Sequence, residues 1–400
     1  MTMERMEQGE LLIDFGLQPV SNRFPTDDKE QVPSFSLQLC IEPGTGLIHL
    51  GQPFPLEQLK PRYDWLTCFE PEDHLDDLVE KLTRLPGVDK SSRFGAYSFK
   101  DDTTLARLAA LGYTNQWRID PELDLGVADK CANVETYQMA LTMEKAFEIR
   151  ERHGAADVMI VRHVIEHSYD LNAFIAAIRS LLSPGGYLVW ELPDCERALE
   201  AGDCTTIWEE HIYYFTSFTF RQLLQQSGFT IDYYDSVNYA LENSLVAIVR
   251  DTQTMAIAAS PDPAAVEREI MRARNFAARI AARRVALRGR LEATRKRHGK
   301  IAIFGAGHLS AAFLSLMQVA DLIDCVIDDN PNKKGRLMPL GGLKITGSDA
   351  LYSGEIGVCL LGLNPQNQPR VIAKHSRFVE QGGIFASIFP GNAQDTEWLS

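Results

Sequence analysis

Ala156-Asp157-Val158-Met159-Ile160-Val161-Arg162-His163-Val164-Ile165-Glu166-His167 is the stretch whose reading decides the fold. Its first residues form a short, nearly continuous apolar run, the pattern of a strand buried on both faces. It ends on imidazoles and a carboxylate. A polar cluster at the end of a buried strand is where an α/β sheet binds ligands. Helical periodicity flanks it, over residues 141–153 before and 171–182 after. Further out, residues 92–98 and 113–119 read as strands around a helix over 103–111. Downstream come a strand at 187–192, a helix at 217–227, and strands at 229–237 and 244–249. Alternating strands and helices predict a doubly wound α/β sheet with a parallel core and an antiparallel last pair.

A second cluster follows the strand at 187–192: Ile207-Trp208-Glu209-Glu210-His211-Ile212-Tyr213-Tyr214-Phe215. A His beside a Glu just past a strand can serve as a general base with its orienter. The plainer alternative is a helix start whose carboxylates complement the dipole and whose His is solvated. Two such clusters after neighbouring strands of one sheet favour a shared site.

Composition narrows the class. The chain has 400 residues, 45% hydrophobic and 24% charged, a globular mix that suggests two to three domains. A net charge of −14 speaks against a general nucleic-acid binder. The seven cysteines include no C-x-x-C pair, which predicts reduced thiols in a cytoplasmic protein and neither a disulfide framework nor a cysteine zinc site. Residues 1–8 lack the apolar core of a signal peptide, and no apolar run reaches a membrane-spanning length.

The expected division is a small N-terminal β module over 1–70, a central α/β domain over 71–255, a basic linker helix over 256–300 and a C-terminal domain over 301–400. Tyr63 and Trp65 either wall a substrate or pack as a hinge. The linker carries many Arg and Lys in an otherwise acidic chain. Its basic face either meets the acidic body or an anionic ligand, or is simply solvated. The last domain opens Ile301-Ala302-Ile303-Phe304-Gly305-Ala306-Gly307-His308, then a helix, then Cys325-Val326-Ile327-Asp328. Strand, glycine turn, helix, strand and acid make a second Rossmann-like unit. Gly305, Gly307 and His308 are candidates to hold a phosphate or nucleotide at a helix N-terminus.

Five stretches carry a family resemblance: Gly16 to Asn22, Ala156 to His167, Leu182 to Pro193, Glu209 to Thr216, and Ile327 to Arg336. In order and spacing they resemble the sugar C-methyltransferases that act on nucleotide-linked keto-deoxysugars. The resemblance implies a class I S-adenosylmethionine (SAM) methyltransferase-type Rossmann domain, a second C-terminal Rossmann-like domain and a small N-terminal module. It further implies His211 as catalytic base, Glu210 as its orienter and His167 as a second active-site group. Asp102, Asp120, Arg162 and His163 fall at the implied SAM site, with Asp120 on the ribose. Tyr63, Trp65, Trp208, Gly305, Gly307 and His308 fall at the implied substrate site, a small-molecule nucleotide sugar.

Departures from the family pattern are as informative. The zinc cysteine pairs are absent, with Pro43 where a second cysteine would stand, so no metal is expected. The SAM glycine loop is replaced by Tyr97-Ser98-Phe99-Lys100-Asp101-Asp102-Thr103, which retains only the acid. A family tyrosine is Trp208, which accepts no hydrogen bond. The expectation is SAM-dependent C-methylation of a nucleotide-activated keto-sugar. The rivals are a SAM-independent keto-sugar epimerase or isomerase, a non-catalytic binding protein, and an NAD-dependent C-terminal unit.

Overall fold

The computed structural model describes residues 9–66, 70–129, 131, 133–251 and 261–391. Residues 1–8 and Cys68 lie outside the described residues. The central sheet has the order β5-β4-β6-β7-β10-β9. Its strands are β4 (Phe94–Ala96), β5 (Gln116–Arg118), β6 (Ala156–Arg162), β7 (Leu182–Asp194), β9 (Phe229–Val237) and β10 (Asn243–Asp251). The first four are parallel, and β10 runs antiparallel to both β7 and β9.

β6 is apolar from Val158 to Val161 because it sits between β4 and β7 with a layer on each face. Met159 and Val161 join the cluster of Phe174, Ile178 and Trp190, while Val158 and Ile160 join Leu78, Leu82 and Leu108. The helix Leu75–Thr83 buries Leu75, Leu78, Val79 and Leu82, one stripe at helical spacing. Each such side chain contributes about 1.5–3 kcal/mol on burial. The β6–β7 register sets Arg162 directly beside Glu191. That pairing puts a buried ion pair at the carboxyl end of the sheet.

The N-terminal sheet is β1 (Glu10–Pro19), β2 (Ser34–Ile41), β3 (Ile48–Leu50) and β8 (Tyr213–Tyr214), in that order. Its last strand comes from the 207–215 stretch, so the N-terminal module is completed by the central part of the chain. The C-terminal sheet is parallel with order β13-β12-β11-β14-β15. It comprises β11 (Lys300–Phe304), β12 (Cys325–Ile327), β13 (Ile345–Thr346), β14 (Ile356–Leu361) and β15 (Ile384–Ser387).

The helix Pro263–His298 starts on the Asp262 cap and stops at Gly299, whose φ is +88°. Several of its arginines meet protein. Arg272 pairs with Glu196 at 2.7 Å, Arg283 donates to the carbonyls of Gly202 and Ile388, and Arg288 pairs with Asp321 at 2.7 Å. The helix thereby binds central and C-terminal parts together. No helix among the described residues is long and apolar enough to cross a membrane.

Candidate active site

A cleft of about 680 Å³ opens where the carboxyl ends of the central strands face the C-terminal sheet. Its floor is Lys100, His163, Glu166, His167 and His211, and its opposite wall is Gly305 to Leu309 with Asp328 and Lys333. Both positions are the strand ends at which open α/β sheets bind ligands.

Glu166 and His167 sit on a single 3₁₀ turn just after β6. The 207–215 loop is laced onto that turn. The Ile212 N–H donates to the Glu166 carbonyl at 2.8 Å, and His167 Nδ1 lies 2.7 Å from the Glu210 carbonyl. A carbonyl oxygen only accepts, so Nδ1 is the donor of that bond. The His167 and His211 rings meet edge-on, 4.7 Å apart. His211 is 9% exposed. Burial drives its pKa well below the ordinary imidazole value, and the neighbouring His167 and His308 push the same way. His211 is therefore neutral at pH 7.

Beneath the floor lies a network of buried charge. Arg162 Nε is 2.5 Å from Glu191 Oε2, His163 Nε2 is 3.1 Å from Glu191 Oε1, and His74 Nε2 is 3.2 Å from Glu191 Oε2. Burial alone would lower the His163 pKa, but Glu70, Glu166 and Glu191 raise it to about 10. His163 also has a left-handed φ of 51°, costly for a non-glycine residue. Its N–H donates to the Glu191 carbonyl at 2.7 Å, and Lys100 Nζ donates to its own carbonyl at 3.0 Å. Glu70 pairs with Lys100 at 2.9 Å. Burial would raise Glu70, yet His163 and Lys100 hold its pKa down to about 2. Glu242, at the start of β10, behaves oppositely. Burial and the charge of Asp203 push it up to about 8, so it lines the cleft largely as the neutral acid.

The far wall is a strand, turn and helix. Gly305 has φ +104°, and a Cβ there would lie 2.9 Å from the Gly362 carbonyl oxygen, so only glycine fits. The Ala306 N–H donates to Asp328 at 2.9 Å, and Lys333 Nζ donates to the Ala306 carbonyl at 2.6 Å. The His308 ring, opening the helix His308–Leu316, stacks on Trp208 at 4.2 Å. Trp208 Nε1 and His308 Nδ1 are buried without hydrogen-bond partners.

The cleft gathers His211, His167, His163, Trp208, Gly305, Gly307 and His308 from the residues expected at a site. Other expected residues are placed differently. Tyr63 and Trp65 stack on each other at 4.7 Å and pack on Phe24, with Arg336 over the Tyr63 ring. They do not line the cleft. Asp102 pairs with Arg118 on the surface at 2.8 Å. The loop acid that turns inward is Asp101, which accepts N–H bonds from Tyr97, Ser98 and Arg162. Arg162 is fully buried and committed to Glu191 and to the Lys100 and Pro71 carbonyls. Glu210 accepts from the Asn22 side chain at 3.2 Å, and Glu209 from the Ser21 N–H at 2.6 Å. These carboxylates dock the N-terminal module, and Glu210 reaches the imidazole pair through its main-chain carbonyl on His167. The expectation of no metal-ligating group weighed only cysteines. Among the described residues, Glu166, His167 and His211 form a set able to hold an ion.

Asp120 stands at the end of β5. Its Oδ1 accepts from the Glu122 and Leu123 N–H groups, both at 2.9 Å, and its side chain is partly exposed. A carboxylate fixed in this way at a second strand end suits ribose hydroxyls. Asp120 does not itself line the cleft. The loop that stands in place of open glycine backbone carries Lys100, which pairs with Glu70 and whose carbonyl accepts from Arg162.

Comparison with known proteins accords with this geometry. Residues 102–234 match a family model described as a methyltransferase domain, and residues 250–390 one described as a C-methyltransferase C-terminal domain. Over these two regions the chain resembles C-methyltransferases. The C-methyltransferase NovU of Streptomyces niveus is 28% identical over 113 residues, 28% of this chain and 27% of NovU. The match thus spans about a quarter of that relative's length. Among solved structures, the 1,6-didemethyltoxoflavin-N1-methyltransferase of Burkholderia thailandensis, with bound S-adenosylhomocysteine, is 14% identical at a TM-score of 0.31. That similarity covers 45% of this chain and 79% of the other. The magnesium protoporphyrin IX methyltransferase of Synechocystis is 16% identical at a TM-score of 0.30, covering 45% and 82%.

Proposed function

We propose that this protein moves a methyl group from SAM to the carbon beside the keto group of a nucleotide-activated sugar, with His211 as the base. The observation that carries the reading is a neutral, buried imidazole facing a cleft between a methyltransferase sheet and a glycine-turn wall. The matches to a methyltransferase domain and to a C-methyltransferase C-terminal domain support methyl transfer to carbon. The nucleotide sugar is supported by the paired walls: His211 on one, Gly305 to His308 with Lys333 on the other.

His211 takes the proton next to the carbonyl, and His167, through its Nε2, relays it. The enolate oxygen needs a donor and positive potential: the neutral Glu242 carboxyl at the cleft would donate, and the cationic His163 below it would supply the potential. The Trp208–His308 stack bounds the sugar and offers two unclaimed ring nitrogens. The glycine turn and Lys333 receive the anionic nucleotide. When bound, SAM supplies an electrophilic methyl group; Asp120 would hold its ribose and His163 would lie beside it.

One observation favours a second reading. With Lys100, paired with Glu70 and bonded to Arg162, in the loop that stands in place of open glycine backbone, the same base can deprotonate and reprotonate a keto-sugar without SAM, as an epimerase or isomerase does. Calorimetry with SAM, together with mass analysis of keto-sugar products, separates the two. Binding and a methyl mass gain support transfer. Absence of binding, with a sugar isomer formed, replaces it with the second reading.

A further inference from the structure

Glu166, His167 and His211 are all buried, and one ligand atom from each lies within 4.8 Å of the others. Two imidazole nitrogens and a carboxylate oxygen make a donor set suited to zinc and its neighbours. Three features prepare it. His167 Nδ1 is engaged with the Glu210 carbonyl at 2.7 Å, which leaves Nε2 as the donor atom. A ligating His whose other nitrogen bonds a carbonyl is the usual outer arrangement of a metal site. Glu166 Oε1 lies 3.8 Å from His167 Nε2, and Glu166 Oε2 is buried with no hydrogen-bond partner, an unexplained carboxylate lone pair within the group. The two supporting loops are tied together by the Ile212 N–H on the Glu166 carbonyl. All three side chains line the cleft, so an ion has an entry path and an open coordination position. Bonds of about 2.0–2.2 Å place tetrahedral ligands about 3.4 Å apart.

We propose that Glu166, His167 and His211 bind one divalent cation of the zinc class, and that the ion, by taking the His211 lone pair, halts proton abstraction. The second half rests on His211 being the base; the first half does not. Metal and proton compete for one nitrogen, so the loaded enzyme is silent and chelation restores it.

The test begins with chelator-stripped full-length protein dialysed against Zn²⁺, with Co²⁺ as a spectroscopic reporter of nitrogen and oxygen ligands. One equivalent per chain is expected. His167→Ala and the near-isosteric Glu166→Gln should each weaken uptake by about 10–100-fold, with thermal unfolding confirming that Glu166→Gln is folded. No uptake by the wild type overturns the proposal, as does unchanged uptake by both variants, which puts the ion elsewhere. Proton exchange on a keto-sugar is then followed with and without one equivalent of Zn²⁺. Loss of exchange that EDTA reverses supports the silencing. Full exchange with the site loaded overturns it. A chain that binds zinc through these residues but exchanges in neither state supports the cation site and removes the base assignment.

Discussion

Replacing Glu191 with Gln attacks the charge network under the cleft floor. Glu191 is fully buried and faces Arg162 at 2.5 Å, His163 at 3.1 Å and His74 at 3.2 Å. Its carboxyl is held well below the usual range: burial opposes ionisation, but Arg162, His163 and His74 outweigh it. Gln keeps the shape and removes the charge. Arg162 then stays buried with its cation uncompensated, since guanidinium does not deprotonate. Removing one partner of a buried pair costs about 3–5 kcal/mol. For a unit of about 150–250 residues, each kcal/mol is worth about 2–4 °C, so the transition of the central sheet should fall by about 6–20 °C. Arg162→Met should cost a similar amount. The double variant should cost clearly less than the sum, because each single change leaves a lone buried charge that the double removes. Urea and thermal denaturation of the two singles and the double measure this. A midpoint shift under about 2 °C for Glu191→Gln, or plain additivity, would refute the claim that this network sets the floor.

Other expectations are briefer. His211→Ala should lower turnover by about 10²–10⁴-fold and leave unfolding unchanged. Glu210→Gln should do far less, because Gln still accepts from Asn22 and the His167 contact is to main chain; turnover with each variant checks both. Asp120→Ala should weaken SAM about tenfold or more, a loss of about 1.4 kcal/mol, read by calorimetry. Stability should decline as pH rises from 6.5 to 10. The His163 pKa is raised from 6.5 to about 10, so its contribution is complete below 6.5 and lost on the way to 10. The Glu242 pKa, raised from 4.5 to about 8, likewise disfavours the folded state as pH climbs through that window. Denaturation midpoints across this range, in chelator, should fall for the wild type and fall less for Glu242→Gln.

Much of this architecture is legible in the chain. The run from Ala156 to Val161 reads as a two-sided strand because nothing but a central position suits it, and the imidazoles after it mark the ligand end. The Gly305 turn is equally plain, since its φ admits little else. What escapes sequence reasoning is direction. Asp101 and Asp102 are adjacent, and only the capping of the turn at Ser98 decides which acid faces inward. The Glu210 carboxylate points to Asn22 because β8 pairs with β3, a long-range contact that local spacing does not reveal. Lys100 sits in a loop judged only by its missing glycines, yet it joins Glu70 to His163. The Trp208–His308 stack exists because the helix Pro263–His298 brings two domains together. Lys333 belongs to the Ile327 to Arg336 stretch and is legible there.

Solvent deuterium exchange tests the base most directly, because it needs no methyl donor. A nucleoside-diphosphate keto-sugar is incubated with chelator-treated enzyme in deuterated buffer without SAM, and the proton beside the carbonyl is followed by NMR. The wild type should wash that proton out, and His211→Ala should leave it in place. Equal exchange in both would contradict the assignment of His211 and pass the role to His167.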